Sequence, residues 1–151
     1  MPDLLTTALV DLDLTGTDRH DATRRLAERL VAEGRVTDLD LFLADVKARE
    51  EQMPTGIEGG IGIPHARSAA VTAPTLAFGR SDAGIDFGAE DGPAHLVFLI
   101  AAPAGGASDH MTILAKLARR LVHASFRDSL RSAPDAQSVV CLLYTSDAAD
   151  E

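Results

Sequence analysis

Cysteine is nearly missing from this sequence: Cys141 is the only one in 151 residues, so no disulfide can form within the chain and nothing asks for an oxidising compartment. The expected location is the cytoplasm. Tryptophan is absent, and five Phe with one Tyr make up all the aromatics. Platforms on which bases or sugar rings could stack are therefore scarce. Basic charge is in deficit, with 14 Lys and Arg against 23 Asp and Glu and a formal charge of −9, so a phosphate backbone would be repelled and no nucleic-acid partner is expected. Long apolar runs are lacking too. The longest, Leu96 to Ala102, has seven residues against the ~20 that cross a bilayer as a helix. Asp3, Asp11 and Asp13 stand where a secretory signal needs a basic start. No membrane insertion is expected.

What remains is a globular balance, 46% hydrophobic and 25% charged, in a chain long enough for one compact domain. From Thr17, Ala22, Leu26, Leu30 and Val31 repeat near the helical period until Gly34. A second helix is expected from Thr37, whose spacing to Asp40 suits a capping box, with Leu39, Phe42, Leu43 and Val46 as its buried stripe and an end near Arg49 or Glu50. Between Met53 and Pro64 four glycines and two prolines exclude a helix and allow tight turns plus one short extended run.

Thr75 to Arg80 and Leu96 to Ala102 read as strands, the second so uniformly apolar that both of its faces must be covered. The Asp- and Gly-rich stretch between them reads as an exposed hairpin or loop. A third helix is expected from Ser108, capped by Ser108 or Asp109, with a stripe of Met111, Leu114, Leu117, Ala118, Leu121 and Val122. Two shorter helices follow, Phe126 to Ser132 and Pro134 to Leu143, the latter with Pro in its favoured first position. The order is that of a layered α/β domain over 1–143, and the tail 144–151, which does not continue the preceding apolar face, reads as a truncation or appended scar.

His65 stands out by its setting, Gly59-Gly60-Ile61-Gly62-Ile63-Pro64-His65. Glycines let backbone N–H groups approach an anion closely, and Pro64 restricts the backbone just ahead of an imidazole that is neutral and nucleophilic at pH 7. Two readings stand side by side: a phosphate-accepting histidine, or one that merely ends a strand. His110, in the opening turn of the third helix, stands where the helix dipole favours an anion, and Arg49 could reach phosphate oxygens or serve as an ordinary partner of its helix end. His20, His95 and His123 read as structural, and no spacing of His, Cys and carboxylates suggests a metal set. The Gly-rich stretch lacks the Lys and Ser or Thr of a nucleotide-binding loop, so a phosphoryl donor would be another protein and no cofactor is expected. Ile61 and Ile63 are expected to form an apolar docking floor around His65.

The run REEQMPTGIEGGIGIPHARSAAVTAPTLAFGRS, then DGPAHLVFLIAAP and SDHMTILAKLARRL, resembles the EIIA domains of the fructose and mannitol type in the bacterial phosphoenolpyruvate-dependent phosphotransferase system, over about Leu4 to Leu143. The Arg-Glu ahead of the loop, Thr-Gly-Ile before the glycines, Ile-Pro-His at the centre and Asp-His at the helix opening recur in order. The resemblance implies a mixed β-sheet with α-helices on both faces. It implies that His65 is phosphorylated by the histidine phosphocarrier protein and hands the group to a cysteine of an EIIB domain, with His110 and Arg49 lining the pocket. Backbone N–H groups of Gly59, Gly60, Ile61 and Gly62 are expected to help hold the phosphoryl charge. The details lie nearest the actinobacterial fructose branch, where EIIA stands ahead of EIIB and EIIC in one chain, and this sequence is then a fragment of such a protein. The alternative is a regulatory EIIA-like protein whose His65 phosphorylation state controls its targets, and a third reading is a structural domain with an inert His65.

Overall fold

The computed structural model describes residues 5–105, 109–121 and 123–149, without the side chains of 109–111, 113, 114 and 144–149. After a 3-10 turn at Thr7–Leu9, the elements run β1 (Val10–Asp11), α1 (Arg19–Ala32), α2 (Leu39–Gln52), β2 (Gly56–Ile57), β3 (Ile61–Gly62), β4 (His65–Ser68), β5 (Thr75–Ile85), β6 (Ala94–Pro103), α3 (Asp109–Leu121), α4 (Ala124–Ser132) and α5 (Ala136–Ala149). The six strands make one mixed sheet in the order β1-β5-β6-β3-β2, with β4 also on β6. Helices pack on both of its faces, α1 and α2 against each other and against β5 and β4, and α3 and α4 against each other and against β6.

The core is the β5–β6 ladder. Phe78 and Phe98 are direct partners across it with ring centroids 5.1 Å apart, and Leu96 through Ala102 are buried without exception, as a strand covered on both faces requires. Strand β6 also carries the segment that leads to His65. Ile61 and Gly62 pair in parallel with Leu96 and Val97, and His65 and Ala66 pair with Ile100 and Ala101, the same offset throughout. Strands β3 and β4 are thus one line of chain along β6, broken at Ile63-Pro64, where the Pro64 carbonyl still accepts from the Ile100 N–H at 3.0 Å. Proline removes a donor and leaves the register intact.

Several local expectations give way to tertiary structure. Helix α2 is capped by Asp38, whose carboxylate accepts from the Leu41 N–H, while Thr37 turns its hydroxyl to the Ala70 carbonyl. The helix runs on to Gln52. Val31 is exposed, because α1 rotates Leu26, Ala27 and Leu30 inward instead. The stretch after Arg80 is no free loop: β5 passes an irregularity in its pairing and regains it at Ile85, which is buried together with Phe87. Pro134 stands ahead of α5, and Asp135 is the residue that accepts from the Ser138 N–H and hydroxyl at its start. In α3, Leu117 and Leu121 are buried and Ala118 is exposed. Ser108, Val122 and the side chains of Asp109, Met111 and Leu114 lie outside the described residues. The helical backbone of α5 continues to Ala149, past the Leu143 at which the domain was expected to close.

Candidate functional site

His65 opens β4, and the side chains that alternate with it along the line of strand place Ile63 two residues back on the same face. Its Nδ1 lies 2.8 Å from the Ile63 carbonyl oxygen. A carbonyl can only accept, so Nδ1 carries the hydrogen, and in the neutral ring the lone pair is on Nε2. The residue is held mostly inside the protein, with 9% of its surface exposed. Ile63 is held in turn by its N–H, which donates to the Thr55 carbonyl at 3.2 Å.

Thr55 is fixed by Glu50, two residues from the end of α2. The Thr55 N–H donates to Glu50 Oε2 at 2.8 Å and its hydroxyl to Oε1 at 2.6 Å, while Arg19 of α1 donates to Oε2 at 3.1 Å. Glu50 is 5% exposed, a buried carboxylate met by two donors from one residue and by a guanidinium, which is what such a charge requires. The sequence reading gave it no role. The signal was present in the Arg-Glu and Thr-Gly pairs flanking the loop, whose spacing lets a carboxylate on the last helical turn reach back to the chain that follows.

The glycine loop is built as a turn followed by a short strand. Gly59 and Gly60 take positive φ of 98° and 77°, a conformation that favours glycine, and form the turn between β2 and β3. The Gly59 N–H donates to the Asp91 carboxylate at 3.0 Å, and its carbonyl accepts from Arg131 of α4. The Gly60 carbonyl accepts from the N–H groups of His95 and Leu96. Ile61 and Gly62 stand in β3 between β2 and β6, where the backbone belongs to the sheet. The expectation that this loop offers its N–H groups to a phosphoryl group is therefore corrected at Gly59, where a carboxylate already occupies the donor. The loop holds the strand that leads to His65.

Ile61 and Ile63 are core residues, not a docking floor; the apolar side chains left exposed along this stretch are those of Met53 and Ile57. Arg49 lies on the last turn of α2 and donates to the Met53 carbonyl at 3.2 Å, closing its own helix end. His110 is the second residue of α3 by its backbone, with its side chain outside the described residues. His95 sits within β6 with Nδ1 at 2.9 Å from the Ser81 carbonyl, His20 is exposed in the first turn of α1, and His123 precedes α4.

A sequence profile of the family described as phosphoenolpyruvate-dependent sugar phosphotransferase system, EIIA 2, matches residues 3–145. The chain is 43% identical over 132 residues to the fructose-specific EIIA component of Haloferax volcanii, covering 87% of this chain and 86% of that one. It is 34% identical over 146 residues to the fructose-specific EIIABC component of Bacillus subtilis, covering 96% of this chain but 23% of that longer protein. Among solved structures, the nitrogen regulatory protein IIA-Ntr of Neisseria meningitidis superposes with a TM-score of 0.85 at 29% identity, over 93% of this chain and 96% of that one.

Proposed function

The chain belongs to the EIIA 2 family of the phosphoenolpyruvate-dependent sugar phosphotransferase system, and from that premise we propose that it is a cytoplasmic phosphoryl carrier that accepts its group on His65. The donor is the histidine phosphocarrier protein, and the acceptor is a cysteine of an EIIB domain serving uptake of fructose or a related sugar. The observation that carries this reading is the bond from His65 Nδ1 to the Ile63 carbonyl. It leaves the nucleophilic lone pair of the neutral ring on Nε2.

In the transfer, that lone pair forms an N–P bond to the phosphorus of the donor's phosphohistidine as the donor N–P bond breaks. The donor imidazole leaves with the bonding electrons. No proton has to move from His65. The ring gains positive character as the bond forms, and the Ile63 carbonyl facing Nδ1–H stabilises it. Transfer onward reverses the geometry, with a thiolate of EIIB as nucleophile. Such a reaction depends on in-line placement and charge stabilisation more than on covalent chemistry from the surroundings. His110 and Arg49 are assigned to the rim of the pocket.

Incubation with phosphoenolpyruvate, enzyme I and the histidine phosphocarrier protein tests the proposal. Label should enter the wild type, be absent from His65→Ala, and chase onto a fructose EIIB. No label on the wild type defeats the carrier reading. The likeness to a nitrogen regulatory protein supports a second reading, in which the phosphorylation state of His65 governs binding to targets; label that enters but does not chase onto EIIB favours it.

A further inference from the structure

Five hydrogen bonds link the first helix to the imidazole. Arg19 donates to Glu50 at 3.1 Å, Glu50 accepts the N–H and hydroxyl of Thr55 at 2.8 and 2.6 Å, the Thr55 carbonyl accepts from Ile63 at 3.2 Å, and the Ile63 carbonyl accepts from His65 at 2.8 Å. Glu50 and Thr55 are both buried. We propose that Glu50, acting through Thr55 and Ile63, is a positioning residue that holds His65 in the Nδ1–H tautomer and places Nε2 for transfer. The proposal rests on the carrier reading for its functional consequence, though not for its structural one.

The physical case is one of competing tautomers. A histidine in water prefers its proton on Nε2, the wrong nitrogen to leave protonated if that atom is to attack. The protein must therefore stabilise the other tautomer, and it does so with a backbone carbonyl whose aim depends on where Ile63 sits. Ile63 lies between the paired residues of β3 and β4, just ahead of a proline that has no N–H to donate. Its own N–H is taken by the Thr55 carbonyl. Thr55 itself lies outside β2 and is fixed by a carboxylate that takes both of its donors at once. Arg19 orients that carboxylate from a different helix. A carboxylate whose task was only to end α2 would not need to be buried against Arg19 of α1 and the chain ahead of the active histidine.

Long-range proton–nitrogen correlation spectra of the neutral His65 ring, paired with phosphorylation kinetics, test the idea in Glu50→Gln and Thr55→Val, with Thr55→Ser as the rescue. His95, whose Nδ1 bonds the Ser81 carbonyl elsewhere in the sheet, is the internal control. Wild type and Thr55→Ser should show the Nδ1–H tautomer at both histidines. Glu50→Gln and Thr55→Val should shift His65 toward the Nε2–H tautomer and leave His95 unchanged. The saturated rate of phosphoryl acceptance should fall about 10- to 100-fold in those two variants, with the KM for the donor protein unchanged.

The proposal is overturned if both variants keep the wild-type His65 tautomer, if His95 changes with it in both, or if Ser at 55 fails to restore what Val removes. A wild type that takes up no phosphoryl group defeats the carrier reading, while the tautomer comparison still decides the role of Glu50.

Discussion

Gly62 lies under the ring of Phe87 so closely that a Cβ at position 62 would come within 2.6 Å of the Phe87 Cδ2. The ring is itself fully buried, so it cannot swing aside without disturbing the core. Gly62→Ala is expected to destabilise the fold by about 1–3 kcal/mol through overpacking. Gly105→Ala, where nothing among the described residues stands within 4 Å of the added carbon, should change stability by less than about 0.5 kcal/mol. Urea denaturation of the two variants beside the wild type checks the contrast, and equal midpoints for both would refute it.

Arg80 reaches from β5 to the end of α4, where its Nη1 donates to the carbonyls of Leu130, Arg131 and Ala133 at 3.1, 3.1 and 2.8 Å. These are orphan acceptors at a helix C-terminus, and a guanidinium satisfies them while complementing the dipole. Arg80→Ala should cost about 1–3 kcal/mol in equilibrium unfolding. Arg80→Lys should recover part of that, because a single ammonium offers donors without the planar fork.

On the proposed carrier reading, the bond between His65 and Ile63 selects the ring nitrogen that would take the phosphoryl group. Phosphorus should be bonded to Nε2, and long-range phosphorus–proton couplings in the NMR spectrum of the phosphorylated protein distinguish the two isomers. Phosphorylation at Nδ1 would contradict the tautomer assignment outright.

Asp135 at the start of α5 has its carboxyl held below the usual aspartate range by the Ser138 hydroxyl and then by the Ser138 N–H. A group with a depressed folded-state value stabilises the protein above its unfolded value, near pH ~3.9, and that contribution disappears as pH falls through the lower folded value. Hydrogen exchange at the Ser138 amide should therefore lose protection on acidification of the wild type. In Asp135→Ala the same amide should already exchange faster near neutrality and respond little to acid.

Much of the architecture was legible because it rests on local periodicity. The run Leu96 to Ala102 reports its own burial, and the stripe of Leu26 and Leu30 reports the inner face of α1. What failed depends on partners distant in sequence. Thr37 looked like a cap until Ala70, brought alongside by the fold, offered its carbonyl, and Asp38 then took the capping role. Ile85 and Phe87 sat among Asp and Gly residues that suggest a surface loop, yet Ile85 pairs with Ala94 of β6 and Phe87 lies against Gly56 of β2 and Gly62 of β3, and both are buried. At the site, the imidazole was conspicuous through its glycines and proline. Glu50 was not, since a Glu on a polar helical turn looks like any solvated carboxylate until the structure shows Thr55 and Arg19 closing on it. Asp91 and Arg131 were equally silent as clamps on Gly59, lying 32 and 72 residues further along the chain.

Because Ile61 to Ala66 run against β6 with one unbroken offset, the side of the sheet from which the imidazole projects is a matter of parity. Length changes in the gene would thus have unequal effects. A codon gained or lost between Ile61 and His65 would deliver the ring to the opposite layer, whereas one in the turn before Ile61 would disturb the clamps on Gly59 and Gly60 and leave that parity unchanged. The spacing of Ile-Gly-Ile-Pro-His is in this sense a ruler, whose length decides the layer that the ring enters.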